Sequence, residues 1–520
     1  MLAAMTRPPT GASDEDATPT REHVRVGERG TGAERVGVPE ASEASRNAST
    51  SRISGTPRAP EEPRSSGASR SSGDACPGAL RLHQADDGAL ARVRIPGGVL
   101  GAGQAEALAE CAVRLGDGGL HLTSRGNVQV RGLPADCGGE LAERLDAVGL
   151  LPSPAHERVR NIVASPCSGL DGRGVADVRP WLTELDTRLC TSEAARELSG
   201  RFLFALDDGR GDVAALGADV TLLAADRDEA LLIVGAGALR LDASDAARAA
   251  LVAAEVFLET AREHGVRAWR VAELPAEGAG PAAGTELLRG VARRVRGARA
   301  AALPPIGPAG AGPDPGAVLY GGRGAVSVLA PLGLLSAAQW RLLAGTALRE
   351  GAGELRLTPW RGVVVPGMRP DRVPAALAAL ADAGLVTEPG SPWRGVGACT
   401  GRPGCARSLA DVRADAVAGL GAEDGDGAEA GDGAEAGDGR GLPLLPVYWS
   451  GCARRCGRPP GAHVDAVAGE DGYHVSVVGT GTGTSGSGTV SPVPLSELAA
   501  AVAAARACGN ATTTPDIRLQ

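Results

Sequence analysis

The chain has 520 residues, 43% of them hydrophobic, enough to bury more than one core, while aromatic residues supply only 2%. Net charge is −9, and there is no long basic run or interleaving of aromatic with basic residues, which argues against a nucleic-acid partner. All 53 basic residues are arginines, so every Arg contact brings a planar, permanently charged guanidinium.

Residues 1–75 are rich in Ser, Pro, Gly, Arg, Glu and Thr and show neither helical nor strand periodicity. Such a segment buries too little apolar surface to offset its ordering entropy, and it is predicted to be a disordered extension. It lacks the apolar h-region of a secretory signal, and no stretch of the chain approaches the roughly 18–20 apolar residues of a bilayer span. The expectation is a cytoplasmic protein without a membrane partner, in which ten cysteines do not form a disulfide framework.

An internal repeat follows. Residues 93–133 and 326–368 both run strand, Gly-containing turn, amphipathic helix of about three turns, then a strand opening on Leu-x-Leu-Thr. Aligning Leu122 with Leu357 also places Thr123 on Thr358 and Val130 on Val365, a constant offset of 235. That period is too long for a solenoid and indicates two copies of one β-α-β half-domain, each followed by a larger unit. The predicted boundaries are 85–150 and 315–388 for the half-domains, and 151–305 and 391–512 for the larger units. In the first unit, 201–208 and 229–237 read as strands and 245–266 as a helix. In the second, 442–450 and 473–479 read as strands. The predicted fold class is α+β with pseudo-two-fold duplication and a cleft between the halves. Strand periodicity sends Leu122, Val128 and Val130 to the core, and Arg125, Asn127, Gln129 and Arg131 to one opposite face.

Two low-complexity tracts interrupt the last unit. The acidic repeat at 421–441 reads as a solvated insertion, since its carboxylates lack EF-hand spacing. The Gly-rich 479–489 contains Gly481-x-Gly483-x-x-Gly486, but Pro492 and Pro494 separate it from the next helix. A dinucleotide site needs a helix opening directly on the glycines, so a loop is expected.

The most informative pattern is Cys399-x5-Cys405 followed by Cys452-x3-Cys456. Four thiolates converging from loops suit a [4Fe–4S] cluster, and Gly401, Gly404, Gly451 and Gly457 allow the backbone to approach it. Zinc knuckles favour tighter C-x2–4-C spacing, and unrelated thiols are the third alternative. Spacing alone leaves all three open.

The flanking residues carry a resemblance. G-A-C-T-G-R-P-G-C-A (397–406) and W-S-G-C-A-R-R-C-G-R-P (449–459) resemble the cluster motif of the nitrite/sulfite reductase superfamily. L-T-S-R-G-N-V-Q-V-R-G (122–132) resembles its first ferredoxin-like half-domain, and R-N-I-V-A-S-P (160–166) its substrate segment. The likeness covers about residues 85–510. It implies a duplicated fold of two ferredoxin-like half-domains plus two larger α/β units. In the reductases of this superfamily, siroheme lies against the cluster, bridged by the cysteine that would be Cys456 here. Arg125 and Arg160 match the anion-holding arginines, and the superfamily's K-x-K site falls on Arg201-Phe202-Leu203, with one cation lost to leucine.

Within the superfamily, the L-T-S-R-G-N-V-Q-V-R-G wording, A-S-P-x-S-G-L-D (164–171) and L-T-P-W-R-G (357–362) look most like the branch of aerobic cobalamin biosynthesis. That branch implies a tetrapyrrole substrate, precorrin-3A, with O2 and an electron donor that the residues do not identify. It implies a [4Fe–4S] cluster and a mononuclear non-heme iron; siroheme would belong to the reductase alternative. A carboxylate-rich macrocycle suits arginine forks, and the candidate substrate residues are Arg125, Asn127, Gln129, Arg131, Arg160 and Arg201, with Arg361 in the second half. Arg402, Arg454, Arg455 and Arg458 surround the cysteines and could screen the cluster or dock a donor. For the iron, His463-x-Asp465 is the local candidate, while His121 and His156 read as incidental. Duplication within one chain makes a monomer plausible.

Overall fold

In a computed structural model, the structure describes residues 76–275, 283–307, 312–421, 444–459, 461–479 and 492–508. The predicted extension (1–75) lies outside these residues. So do nearly all of the acidic insertion (421–441) and the Gly-rich tract (479–489).

The first half-domain contains β1 (His83–Ala85), β2 (Gly88–Val93), β3 (Val99–Gly101), α1 (Ala102–Leu115), β4 (Gly119–Leu122), β5 (Val128–Leu133) and α2 (Gly138–Asp146). The first large unit follows with β6 (Ile162–Ala164), α3 (Arg179–Thr191), β7 (Phe204–Asp207), β8 (Val220–Ala224), β9 (Glu229–Val234), β10 (Gly237–Asp242), α4 (Ala246–Glu263), α5 (Ala283–Arg294) and β11 (Arg299–Ala301). The second half-domain is β12 (Gly316–Tyr320), β13 (Arg323–Leu329), β14 (Leu334–Ser336), α6 (Ala337–Glu350), β15 (Glu354–Leu357), β16 (Gly362–Met368) and α7 (Val373–Asp382). The second large unit has β17 (Val396–Ala398), α8 (Val412–Gly421), β18 (Val447–Ser450), β19 (His463–Gly469), β20 (Gly472–Val478) and α9 (Leu495–Cys508).

The duplication is visible to the residue: α1 and α6, β3 and β14, and β4 and β15 each differ by the same 235 positions. The half-domains are not side-by-side copies, however. Their sheets run β1-β2-β5-β4-β14 and β12-β13-β16-β15-β3, so each lends its short strand to the other's edge. Leu335 pairs with Leu120, and Leu100 with Leu355. The turn into β3 requires Gly98, at φ +72°, because a Cβ there would collide with the Leu357 carbonyl.

Helices α1 and α6 pack around the pseudo-two-fold axis, where the Trp340 indole donates to the Ala105 carbonyl (2.7 Å) and Arg341 pairs with Glu106 (2.7 Å). One hydrophobic core serves both halves, from Leu108, Leu120 and Val130 through to Val328, Trp340 and Leu355. Trp340→Ala is therefore expected to loosen both half-domains at once, costing roughly 3–5 kcal/mol, read as a lowered denaturant midpoint.

The first large unit is a six-stranded sheet, β11-β10-β9-β8-β7-β6, backed by α3 and α4 with their own core. In the second large unit, β17, β18 and β19 are parallel and β20 is antiparallel. Alternation gives this sheet two unlike faces. Val447, Trp449, Val464, Ala466 and Tyr473 pack with α8 and α9 residues, while Tyr448, Ser450, His463 and Asp465 lie on the opposite face, all buried.

Candidate cluster site and ligand cavity

Both cysteine pairs leave the C-terminal ends of adjacent parallel strands. Cys399 follows β17 and Cys452 follows β18, whose register pairs Ala398 with Trp449. The Cys399 N–H donates to the Trp449 carbonyl (2.9 Å), and the Gly451 N–H donates to the Cys399 sulfur (3.2 Å). A peptide N–H aimed at a thiolate offsets cluster charge. Gly451 is required where the two loops cross, since a Cβ would overlap the Ser408 hydroxyl. The Cys405 loop is held from the first half-domain: Arg131 donates to the Gly404 carbonyl (3.0 Å), and Asp86 accepts from the Ala406 N–H.

Zinc would bring its thiolates to about 3.8 Å of one another, from Zn–S bonds of about 2.3 Å. Among the described residues, no three of the four sulfurs lie within 4.8 Å of one another, so they are not gathered round a single tetrahedral ion. Burial pushes the Cys456 thiol up; Arg454 opposes this, and Cys452, Cys399 and Cys405 reinforce it. The donor set, four cysteines on loops that meet beyond β17 and β18 with a peptide N–H aimed at the Cys399 sulfur, fits an iron–sulfur cluster.

Cys399 and Cys456 border a cavity of about 220 Å³ whose other walls include Arg92, Gln129, Arg361 and Arg413. It adjoins one of about 800 Å³ through His121, Arg131, Thr400 and Arg413. A third, of about 130 Å³, shares Ser124, Arg361, Tyr448 and Gly457 with it. The sheet register explains the polar wall, because Arg92 pairs with Gln129 and Gln129 with His121 across β2, β5 and β4. With its amide oxygen turned toward the guanidinium, Gln129 accepts from Arg92 at 2.6 and 3.2 Å.

The arginines divide by their partners. Arg131 is bidentate to Asp87 (2.8 and 2.8 Å), and Arg160 to Asp186 (2.7 and 2.7 Å). Arg201 stacks on Trp269 at 4.5 Å. Among the described residues, no carboxylate lies within ion-pair distance of Arg92, Arg94, Arg125, Arg361 or Arg413. Burial, then Arg94, brings the Arg92 guanidinium down to about 10; burial, then Arg94 and Arg270, does the same to Arg125. Burial and then Arg131 also lower Arg413. Of the five, Arg94 is buried and the other four are half-buried; cations gathered there without counter-charges favour an anionic ligand.

The structure corrects the expectation that Arg125, Asn127, Gln129 and Arg131 share a strand face. The strand begins only at Val128, because the Thr123 N–H closes a turn on the Asn127 carbonyl, with Gly126 at φ +66°. Arg125 therefore sits in the turn beside Arg92 and Arg94, donating to the Gly200 carbonyl at 3.5 Å. Asn127 is buried as a brace, accepting from the Ile95 N–H (2.9 Å) and donating to Asn161 (3.3 Å). Gln129 reaches the cavity wall, and so does Arg131 despite its ion pair. Residues not foreseen there are Arg92, Arg413 and Tyr448. Arg92 had a signal, since Ala91 and Val93 point to the core and leave it outward; Arg413 had none.

His121, which looked incidental, borders both larger cavities, with Arg413 at 3.5 Å and Asp117 at 3.8 Å. His156 is structural, bonded to Ser153 and the Ser192 carbonyl. The described residues do not fit a mononuclear iron triad. Asp465 is engaged by Arg455 (2.7 Å) beside His463. The one His/Cys/Asp/Glu group among the described residues tight enough for a single ion is Asp207, Asp208 and Asp212. There, Asp207 accepts four backbone N–H groups and Asp208 pairs with Arg210.

Comparison with known proteins agrees with this architecture. Residues 83–148 and 321–383 match the family model of the nitrite/sulfite reductase ferredoxin-like half domain. The fold is similar to the structure of Mycobacterium tuberculosis NirA protein, with a TM-score of 0.61 and 21% identity over 79% of each chain. The chain is an oxidoreductase whose two half-domains are of the nitrite/sulfite reductase ferredoxin-like kind. Its relatives carry two activities. It is 29% identical to a ferredoxin–nitrite reductase of Synechococcus elongatus, covering 72% of this chain and 75% of that one. It is 28% identical to a precorrin-3B synthase of Sinorhizobium sp, covering 78% and 83%.

Proposed function

We propose that this chain is a precorrin-3B synthase: it hydroxylates precorrin-3A at C-20, with lactone formation from a ring acetate, in aerobic cobalamin biosynthesis. One oxygen atom of O2 enters the product and the other leaves as water, with two electrons and two protons from an external donor. The observation that carries this reading is the group of half-buried guanidinia, Arg92, Arg361 and Arg413, without carboxylate partners beside Cys399 and Cys456. A macrocycle fringed with acetate and propionate arms supplies the missing counter-charges as bidentate pairs.

Arg92, Arg361 and Arg413 would bind and orient the carboxylates, with Arg125 behind Arg92, while Gln129 holds the Arg92 fork in place. A [4Fe–4S] cluster on Cys399, Cys405, Cys452 and Cys456 supplies single electrons when bound. Leu332 and Ala398 supply apolar contact for the ring in a wall that is otherwise polar. A ferredoxin-type donor is the natural reductant, given the nitrite reductase relatives. The half-domains already share one core, which favours a monomer.

The comparable similarity to nitrite reductases makes a siroheme-dependent nitrite or sulfite reductase the second reading. An anion reductase needs dense positive charge around its substrate. Leu203 leaves one cation position empty and is buried against Val163, Ala205 and Val213. The test is anaerobic incubation of the reduced holoprotein with precorrin-3A, followed by O2. Mass analysis is expected to show one added oxygen. An intense Soret band in the purified protein, with nitrite or sulfite turnover, would favour the reductase instead.

A further inference from the structure

The Cys452–Cys456 loop is anchored to the sheet beneath it at two points that no ligand role explains. Within the loop, the Arg455 N–H closes on the Cys452 carbonyl (3.2 Å), and Arg455 itself stands at φ +48°, a left-handed conformation unfavourable for a residue with a Cβ. Its guanidinium reaches down to the buried Asp465 carboxylate at 2.7 Å. One residue further on, the Cys456 carbonyl accepts from the Tyr448 hydroxyl, also at 2.7 Å. Tyr448 and Asp465 are direct cross-strand partners on β18 and β19, 2% and 1% exposed. Arg361 lies over the Tyr448 ring at 5.7 Å, closing it from the cavity side.

We propose that Tyr448 and Asp465 are paired positioning residues that hold the Cys452–Cys456 loop in its cluster-binding shape and keep Cys456 at the cavity wall. The inference rests on the cysteine quartet holding a cluster. Its physical basis is preorganisation: a strained loop fixed by two bonds to a rigid sheet presents its ligands without waiting for the metal to order them. Removing either bond leaves the ligands present but their geometry unsupported. His463, 3.5 Å from Asp465, backs the carboxylate from the same face.

The experiment compares full-length Tyr448→Phe, Asp465→Asn and Arg455→Gly with the parent protein after anaerobic cluster reconstitution. Arg455→Gly removes the contact to Asp465 while relieving the backbone, so it remains informative if Asp465→Asn misfolds. Tyr473→Phe is the control. It removes a buried hydroxyl bond, to Asp415 (2.6 Å), from the other face of the same sheet.

The expected result is a native circular dichroism spectrum for Tyr448→Phe and Arg455→Gly, with an altered electron paramagnetic resonance line of the reduced cluster. Iron release to a ferrous chelator should be roughly 3–10-fold faster, the scale of one lost hydrogen bond. Tyr473→Phe should match the parent in both readouts. Parent-like resonance and iron release in both Tyr448→Phe and Arg455→Gly would overturn the inference, as would an equal effect of Tyr473→Phe. A parent protein that takes up no cluster would overturn the cluster reading itself, a different and distinguishable failure.

Discussion

Cys456→Ser is expected to yield a folded protein without a stable cluster and without turnover. The hydrogen bond from Tyr448 goes to the Cys456 backbone carbonyl, so the substitution leaves that anchor intact and changes the thiolate alone. Serine oxygen is a harder, more basic donor than thiolate and a poor match for a cluster held by cysteines. Cluster absorbance between native and variant protein is the measurement, with circular dichroism as the check on folding. Retained absorbance together with full activity would remove Cys456 from the ligand set.

The second large effect is expected at Arg361. This residue borders two of the adjoining cavities, lies over Tyr448 and stands at φ +61°. The equivalent position in the first half-domain, 235 residues earlier, is Gly126 at φ +66°. A non-glycine residue kept in left-handed conformation beside a cavity is the pattern of backbone strain retained for function. Arg361→Gly should therefore separate two properties. Stability should stay level or rise by about 1 kcal/mol, because glycine accepts this conformation. Affinity for the tetrapyrrole should fall roughly 10–100-fold, the scale of a lost charge-assisted hydrogen bond. Spectral titration with precorrin-3A under anaerobic conditions reads the second, and denaturant titration the first. Unchanged affinity would place the carboxylate contacts on Arg92, Arg125 and Arg413 instead.

The asymmetry between the halves shows why one face became a site. Positions 92, 121 and 129, which build the polar wall, have the counterparts Ser327, Arg356 and Val364. Val364 packs with Cys167 and Ala325. Arg356 is spent on Glu354 and on the carbonyls of Pro166 and Ser168. Duplication supplied two equivalent surfaces. One is plugged by the loop after β6, and the other faces the cysteines.

The sequence by itself determined the duplication, the inward placement of Leu122, Val128 and Val130, and the two cysteine-bearing loops. Each of these depends on local periodicity or on a short motif whose residue types carry the chemistry. The tertiary structure alone decided the exchange of β3 and β14, because a three-residue strand has no period to read and its partner lies more than 200 residues away. It also decided which arginines belong to the cavity. Arg131 and Arg160 look like Arg92 and Arg413 in the sequence. Their carboxylates, Asp87 and Asp186, stand 44 and 26 residues away, and only folding brings them together. A guanidinium's role is set by whether a counter-charge reaches it, a property of three-dimensional proximity that linear spacing does not encode.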